Sequence, residues 1–265
     1  MPKQHNISEV TLQRVGHTAL ITLNRPDAMN AVNSSLAAAL GAALEELAGD
    51  EQLRVGVLTG SGRAFCAGAD LKELAAGRRI DDPAHPEWGF AGMVKHFVDK
   101  PLIAAVNGFA LGGGTEIVLA CDLAVMNETT TLGLPEVRHG LAAIGGGLLR
   151  LPRQIPRKLA MQAVLTGDPI DAPTAAAWGM VNDIVAPDLV LDTALRLAKT
   201  IGDNAPLSVR ASKRIMTRSD DFGSDWNADI WAMCQQEVRP LYTSADAQEG
   251  PRAFAEKRAP RWQGK

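Results

Sequence analysis

At 265 residues with 46% hydrophobic content, the chain allows one large domain, or one domain with an appendage, around a full-sized core. A net charge of −3 and an isoelectric point near 6.0 exclude a wide electrostatic grip on nucleic acid, so any anionic ligand must meet a local basic patch. Cys66, Cys121 and Cys234 stand far apart without CxxC spacing, which fits a reducing compartment and argues against zinc.

Residues 1–9 are polar and lack a signal-peptide core. No apolar run approaches the ~20 residues of a membrane span. The expectation is a soluble cytoplasmic protein without a membrane or nucleic-acid partner.

Residues 10–15 and 18–23 predict a hairpin around Gly16-His17, and 24–27 a turn. Asn33 is placed to cap a helix with Leu36, Leu40, Ala43, Leu44 and Leu47 at helical spacing, and Gly49 to end it. Residues 53–58 read as an apolar strand, 71–76 as a short helix, 77–86 as a polar loop and 88–98 as a helix. Beyond them come a buried strand at 101–106, a helix at 117–120, and strands at 121–126 and 129–132. Gly145-Gly146-Gly147 opens a helix through Leu151, followed by helices at 156–165, 173–178 and 189–201. Past Asn204 the texture is helical throughout, with Arg210, Lys213, Arg214 and Arg218 sharing a face. A boundary near 205 separates a core, 1–204, from a C-terminal helical region, 205–265. A weak repeat is visible in 20–24, 56–60 and 104–108, each ending a strand in a polar turn. Strands separated by helical segments suggest parallel pairing, in a spiral of strand–strand–helix turns.

Residues 106–116, Val-Asn-Gly-Phe-Ala-Leu-Gly-Gly-Gly-Thr-Glu, join a strand, bare backbone, a helix start and an acid. Glycine lets backbone N–H groups approach a ligand closely, and a helix N-terminus adds partial positive charge. That combination suits holding an oxyanion and moving a proton beside it. Close packing also explains glycine triplets. A nucleotide loop does not fit: GxGxxG is incomplete and no Lys-Ser/Thr follows.

With these stand Leu23-Asn24-Arg25-Pro26, Met29-Asn30-Ala31, 65–72 (Phe-Cys-Ala-Gly-Ala-Asp-Leu-Lys), Leu134-Pro135-Glu136, Leu165-Thr166-Gly167, 178–182 and 254–257. In this order the set resembles the crotonase family, the enoyl-CoA hydratase/isomerase superfamily, over nearly the whole chain. The resemblance implies an α/β fold, a right-handed ββα superhelix with a C-terminal helical trimerisation region, and hexamers built as dimers of trimers. It implies an oxyanion hole from the N–H groups of Ala69 and Gly113, and two catalytic acids, Glu116 and Glu136. Glu116, near a helix N-terminus, is expected to favour the anion and Glu136 to donate the proton to C2. Coenzyme A, as part of the substrate and not a separate cofactor, is expected at Arg25, Ala28, Ala67, Asp70, Leu71, Lys72 and Lys257. Asp70 also reads as a structural turn residue.

The acyl pocket is expected among Leu74, Trp88, Met93, Phe97 and Ile144; Ile144 stands where hydratases of the family have a Gly-rich run. Arg150, Arg153, Arg157 and Lys158 read as an exposed basic face, and His139 as structural or as tuning the acid pair. The activity implied is hydration of a 2-enoyl-CoA. An isomerase, a crotonobetainyl-CoA-type hydratase and a non-catalytic acyl-CoA binder stay open, and a serine hydrolase lacks its GxSxG.

Overall fold

Strands β1 (Val10–Val15) and β2 (Thr18–Leu23) form the expected hairpin, turning at Gly16 with φ 60°. The computed structural model describes residues 9–265, so most of the polar opening stretch lies outside the described residues. After β2 the chain repeats one excursion. β3 (Val55–Gly60) joins a first sheet and β4 (Ala64–Cys66) a second. β5 (Leu102–Val106) and β6 (Phe109–Leu111) do the same, as do β7 (Leu123–Asn127) and β8 (Thr131–Gly133). β9 (Ile170–Asp171) closes the second sheet, order β4-β6-β8-β9, and β10 (Asp183–Val185) the first, order β1-β2-β3-β5-β7-β10. Strands β2, β3, β5, β7 and β10 pair in parallel. The three segments of the weak repeat are thus neighbouring strands of one sheet.

A parallel sheet covered on both faces needs apolar residues of both parities. Val55, Val57, Ile103, Ala105 and Val125 face helix α7 (Val190–Gly202), packing on Val190, Ala194 and Ala198. Leu58, Leu102, Ala104, Val106 and Met126 face the larger core, shared with helix α1 (Ser34–Gly49) through Leu36, Leu40, Leu44 and Leu47. Asn33 caps α1, its side chain accepting the Leu36 N–H at 2.8 Å. Gly49 is the last helical residue, with Asp50 beyond it in extended conformation, so no left-handed cap forms there.

Helices α2 (Leu71–Ala75) and α3 (Gly113–Ala120) follow β4 and β6. Next come α4 (Gly147–Gln154), α5 (Arg157–Thr166) and α6 (Ala172–Trp178). Helix α3 starts earlier than the apolar pattern suggests, because its first turn is glycine and carries no periodicity. β4 and β6 were not expected; strands of 3 residues leave too little pattern to see. The helix expected over 88–98 is corrected. Two short 3-10 turns, Pro86–Trp88 and Phe90–Gly92, are broken by positive φ at Gly89 (72°), Ala91 (59°) and Gly92 (65°). A Cβ on Gly92 would come within 2.2 Å of the Ala37 carbonyl, so this segment follows the surface of α1 too closely to wind as a helix.

The chain ends in α8 (Pro206–Ser219), α9 (Ala228–Tyr242) and α10 (Ala245–Ala255). The basic face of α8 works as a staple. Arg210 and Arg214 bind Asp99, each at 2.8 Å, Lys213 binds Asp122 at 2.7 Å, and Arg214 and Arg218 hold Glu237 of α9 at 2.7 and 2.9 Å. Among the described residues no helix is long and apolar enough to cross a membrane.

Candidate active site

The cleft begins with a loop held in an unfavourable shape. Met29 and Asn30 are left-handed at φ 52° and 54°, a conformation that disfavours side chains other than asparagine and glycine. Asn30 is fully buried and offsets this cost. Its amide donates to the carbonyls of Ser61 (3.0 Å), Ala64 (2.9 Å) and Phe65 (3.1 Å), while its oxygen accepts the Arg25 N–H at 2.9 Å. Arg25 pairs with Asp70 at 3.1 Å and Glu9 at 3.3 Å, and also donates to the Ala31 carbonyl. Asp70 accepts the N–H groups of Lys72 and Glu73 at 3.1 and 3.4 Å, capping α2. The turn reading of Asp70 therefore holds, and Arg25 braces the cleft through it.

Ala69 and Gly113 line the same floor. Ala69 bridges Val32 in parallel: Val32 N–H donates to the Gly68 carbonyl at 2.8 Å, and Asp70 N–H to the Val32 carbonyl at 2.9 Å. That pattern uses the groups on either side and leaves the N–H of Ala69 on the opposite edge. Gly113 opens α3, where first-turn N–H groups have no partner within the helix. A Cβ on Gly68 would come within 3.0 Å of the Gly113 nitrogen, and one on Gly114 within 2.0 Å of the Cys66 carbonyl. Only glycine lets the two segments approach like this.

Both acids carry a carboxyl raised above the ordinary glutamate range. For Glu116, burial is the main cause and the charge of Glu136 adds to it; opposing them are the N–H groups of Gly147 and Gly145 and the charge of Arg150. Glu116 is 4% exposed, and its Oε1 accepts the Gly147 N–H at 2.9 Å. A Cβ on Gly145 would lie 2.5 Å from its Oε2, which gives the second glycine triplet its reason. Glu136 sits in the 3-10 turn Pro135–His139, against Gly112. Burial raises it, against its own backbone N–H and His139, and its Oε2 is buried without a hydrogen-bond partner. The charge of Glu136 acts on Glu116, yet the two acids differ. One has donors for an anion, while the other has an orphaned oxygen that suits a protonated acid.

A cleft of about 470 Å³ is lined by Ala28, Ala67, Ala69, Asp70, Leu71, Lys72, Gly113 and Glu136 from the sequence-derived set, with His139 beside them. Glu116 lies behind this lining. A cavity of about 620 Å³ between Gly16-His17 and α7 is larger, but its acids, Asp192 and Asp203, lie on the surface among Arg196 and Lys199, and no glycine triplet lines it.

The residues expected around the acyl group lie outside the lining of the cleft that Glu136 borders. Ile144 is 82% exposed and fills nothing within the chain. Trp88 is stacked between His85 and His96, with ring centroids 3.8 and 4.5 Å away, and lies against Gly41 of α1. Phe97 is half exposed beneath Lys213, whose ammonium lies 5.5 Å from the ring centroid. Leu74 lies partly exposed on α2, outside the lining. Trp88 and Phe97 belong to the segment expected as a helix over 88–98, which takes an irregular path instead. Phe90, not singled out from the sequence, is the aromatic that packs on Gly113: a Cβ there would meet its ring at 2.3 Å. No periodicity marks it. Lys257 is exposed beyond α10, at φ 55°. Arg150 leaves the expected basic face and turns inward. Among the described residues no His, Cys, Asp and Glu cluster could hold a metal ion.

The sequence profile of the family described as enoyl-CoA hydratase/isomerase matches residues 14–265. A carnitinyl-CoA dehydratase of Salmonella typhi is 40% identical over 257 residues, covering 96% of this chain and 98% of that protein. Among solved structures, an enoyl-CoA hydratase from Mycobacterium tuberculosis H37Rv superposes with a TM-score of 0.91 at 45% identity, covering 97% of this chain and 100% of the other. A carnitinyl-CoA hydratase from Mycobacterium avium is similar with a TM-score of 0.77 at 48% identity, over 97% and 99% of the two chains.

Proposed function

Because the chain belongs to the enoyl-CoA hydratase/isomerase family, we propose that it is an enoyl-CoA hydratase, a carbon–oxygen lyase that adds water syn across the 2,3 double bond of a 2-enoyl-CoA thioester. The thioester oxygen sits between the N–H groups of Ala69 and Gly113. Glu116 takes a proton from water as the hydroxyl oxygen bonds to C3. The displaced π electrons move to the thioester oxygen as an enolate, where each donor is worth about 3–4 kcal/mol. The enolate collapses as Glu136 delivers its proton to C2. Proton exchange through water then restores both acids.

The observation that carries this reading is the asymmetry of the pair: N–H donors on Glu116, an orphaned oxygen on Glu136. Moving a double bond by proton transfer along one face needs only one such acid. The coenzyme A moiety would lie along Ala28, Ala67, Leu71 and Lys72, braced by Arg25 and Asp70, with Lys257 reaching its nucleotide end.

Loss of enoyl absorbance on crotonyl-CoA tests the hydration; absence of turnover on a panel of 2-enoyl-CoA thioesters would leave a non-catalytic acyl-CoA binder. The carnitinyl-named relatives favour a second reading, a hydratase for the polar crotonobetainyl group, and a higher kcat/KM on crotonobetainyl-CoA than on crotonyl-CoA would select it.

The alternation of β3–β4, β5–β6 and β7–β8 between two sheets supports the ββα superhelix, with 1–204 as core and 205–265 as the oligomerising region. Trp226 (90% exposed), Phe254 (86%) and Tyr242 (78%) leave apolar surface on the last helices and their lead-in, which supports burial in a trimer or a hexamer of two trimers. Light scattering at micromolar concentration tests that assembly. A cytoplasmic location accords with the three free thiols.

A further inference from the structure

Arg150 is a cation drawn inward by α4. Its Nη2 donates to the Val94 carbonyl at 2.5 Å, tying α4 to the irregular segment that carries Phe90. Its Nη1 lies over Gly146, where a Cβ would come within 2.0 Å; Gly146 is left-handed at φ 114°. The neighbouring glycines, Gly145 and Gly147, hold the carboxylate of Glu116. One stretch of bare backbone therefore meets both groups, the guanidinium at Gly146 and the carboxylate at Gly145 and Gly147. A partly buried guanidinium with one carbonyl partner requires an anion nearby. Among the groups that act on its charge, Arg153 repels it, Cys121 is a buried thiol and Glu116 is a carboxylate, while Lys95, His96, Asp122, Lys213 and Asp220 line the open cavity that it borders. Glu116 in turn faces Glu136 and Arg150, and Glu136 faces His139.

We infer that Arg150 is a positioning residue for the hydration: it supplies the counter-charge that keeps Glu116 a carboxylate, against burial and against Glu136, while it stays clear of the substrate. This rests on the hydratase reading. It explains how two neighbouring buried acids divide into base and acid: a fixed cation stands on the side of Glu116 only.

The test is the pH profile of kcat and KM on crotonyl-CoA, from about pH 5 to about pH 9, for the wild type, Arg150→Gln, Arg150→Lys and Gly146→Ala. Removing the charge moves the acidic limb to higher pH, so Arg150→Gln loses about 10-fold more activity at the acid end than at the alkaline end, a tenfold change corresponding to one pH unit. Arg150→Lys keeps the limb near its wild-type place. Gly146→Ala pushes the guanidinium off its seat and moves the limb the same way as Arg150→Gln, which keeps the test alive should Arg150→Gln not fold. A uniform loss at every pH in Arg150→Gln and Gly146→Ala, or a limb that moves as far in Arg150→Lys, overturns the inference. A wild type without hydration on any 2-enoyl-CoA overturns the hydratase reading instead.

Discussion

The two sheets of this molecule are held together by different physics. The inner strands of the six-stranded sheet, β2, β3, β5 and β7, are largely apolar, covered on both faces and stabilised by burial. In the four-stranded sheet no strand exceeds 3 residues. Polar side chains hold its surroundings: Asn30 binds three carbonyls, and the Thr115 hydroxyl reaches the carbonyls of Ala110 (2.7 Å) and Gly133 (2.8 Å). Glycines let its backbone segments touch. Burial is tolerant of detail, whereas hydrogen bonds and backbone contacts fix positions closely. The candidate site stands on the second sheet, where positions matter, and the first supplies a foundation.

Substitutions can break this contrast or sharpen it. The largest effect belongs to the acids. Glu116→Gln and Glu136→Gln should each lower hydration by about 10²–10⁴-fold while the thioester still binds, measured as kcat on crotonyl-CoA and as binding of a non-reactive thioester. The double mutant should lose less than the product of the singles, since both act on one transition state. Intact hydration in Glu116→Gln would end the two-acid mechanism.

Next comes the foundation. Leu40→Ala, in the core under the six-stranded sheet, should cost about 2–5 kcal/mol of stability and leave kcat of the folded enzyme unchanged. Denaturant unfolding beside turnover reads both. Gly114→Ala reverses that pattern. Its Cβ meets the Cys66 carbonyl, so about 1–3 kcal/mol of overpacking is accompanied by a clear loss of kcat as the two donor segments move apart. If the two substitutions affect kcat and stability in the same proportion, the division of labour between the sheets is wrong.

The smallest effect is one of pH. Glu136 has a carboxyl raised by burial, so it ionises more easily in the unfolded chain than in the folded one. Its contribution to stability is complete below the ordinary glutamate value and is lost as pH rises through the raised one. Glu136→Gln should therefore raise the melting temperature over wild type at neutral pH, with the gain vanishing towards pH ~4.

Legibility in the sequence follows the same division. The hairpin, α1 with its Asn33 cap, and strands β3, β5 and β7 announce themselves through periodicity or unbroken apolar runs, because burial leaves such a trace. The strands of the second sheet and the path of 88–98 do not, since they depend on contacts such as Gly92 on Ala37 that no local pattern encodes. Of the candidates read from motifs, Ala69, Gly113 and Glu136 line one cleft, while Glu116 is buried against Gly145 and Gly147. Trp88 and Phe97, expected around the acyl group from the resemblance, lie outside the cleft lining, and Ile144 faces outward. Phe90 and the inward turn of Arg150 depend on left-handed residues at 89, 91, 92 and 146, and sequence spacing does not signal such dihedral angles.

The contact of Gly114 with the Cys66 carbonyl has an evolutionary consequence. In the hydratase reading the carbonyl-binding donors belong to the main chain and are set by how closely two segments approach, so they depend on backbone packing and not on any polar side chain. The acids are side chains, replaceable individually without disturbing that cradle. A lineage built on this scaffold is therefore free to exchange its proton-transfer chemistry by point mutation while its grip on the thioester is inherited unchanged.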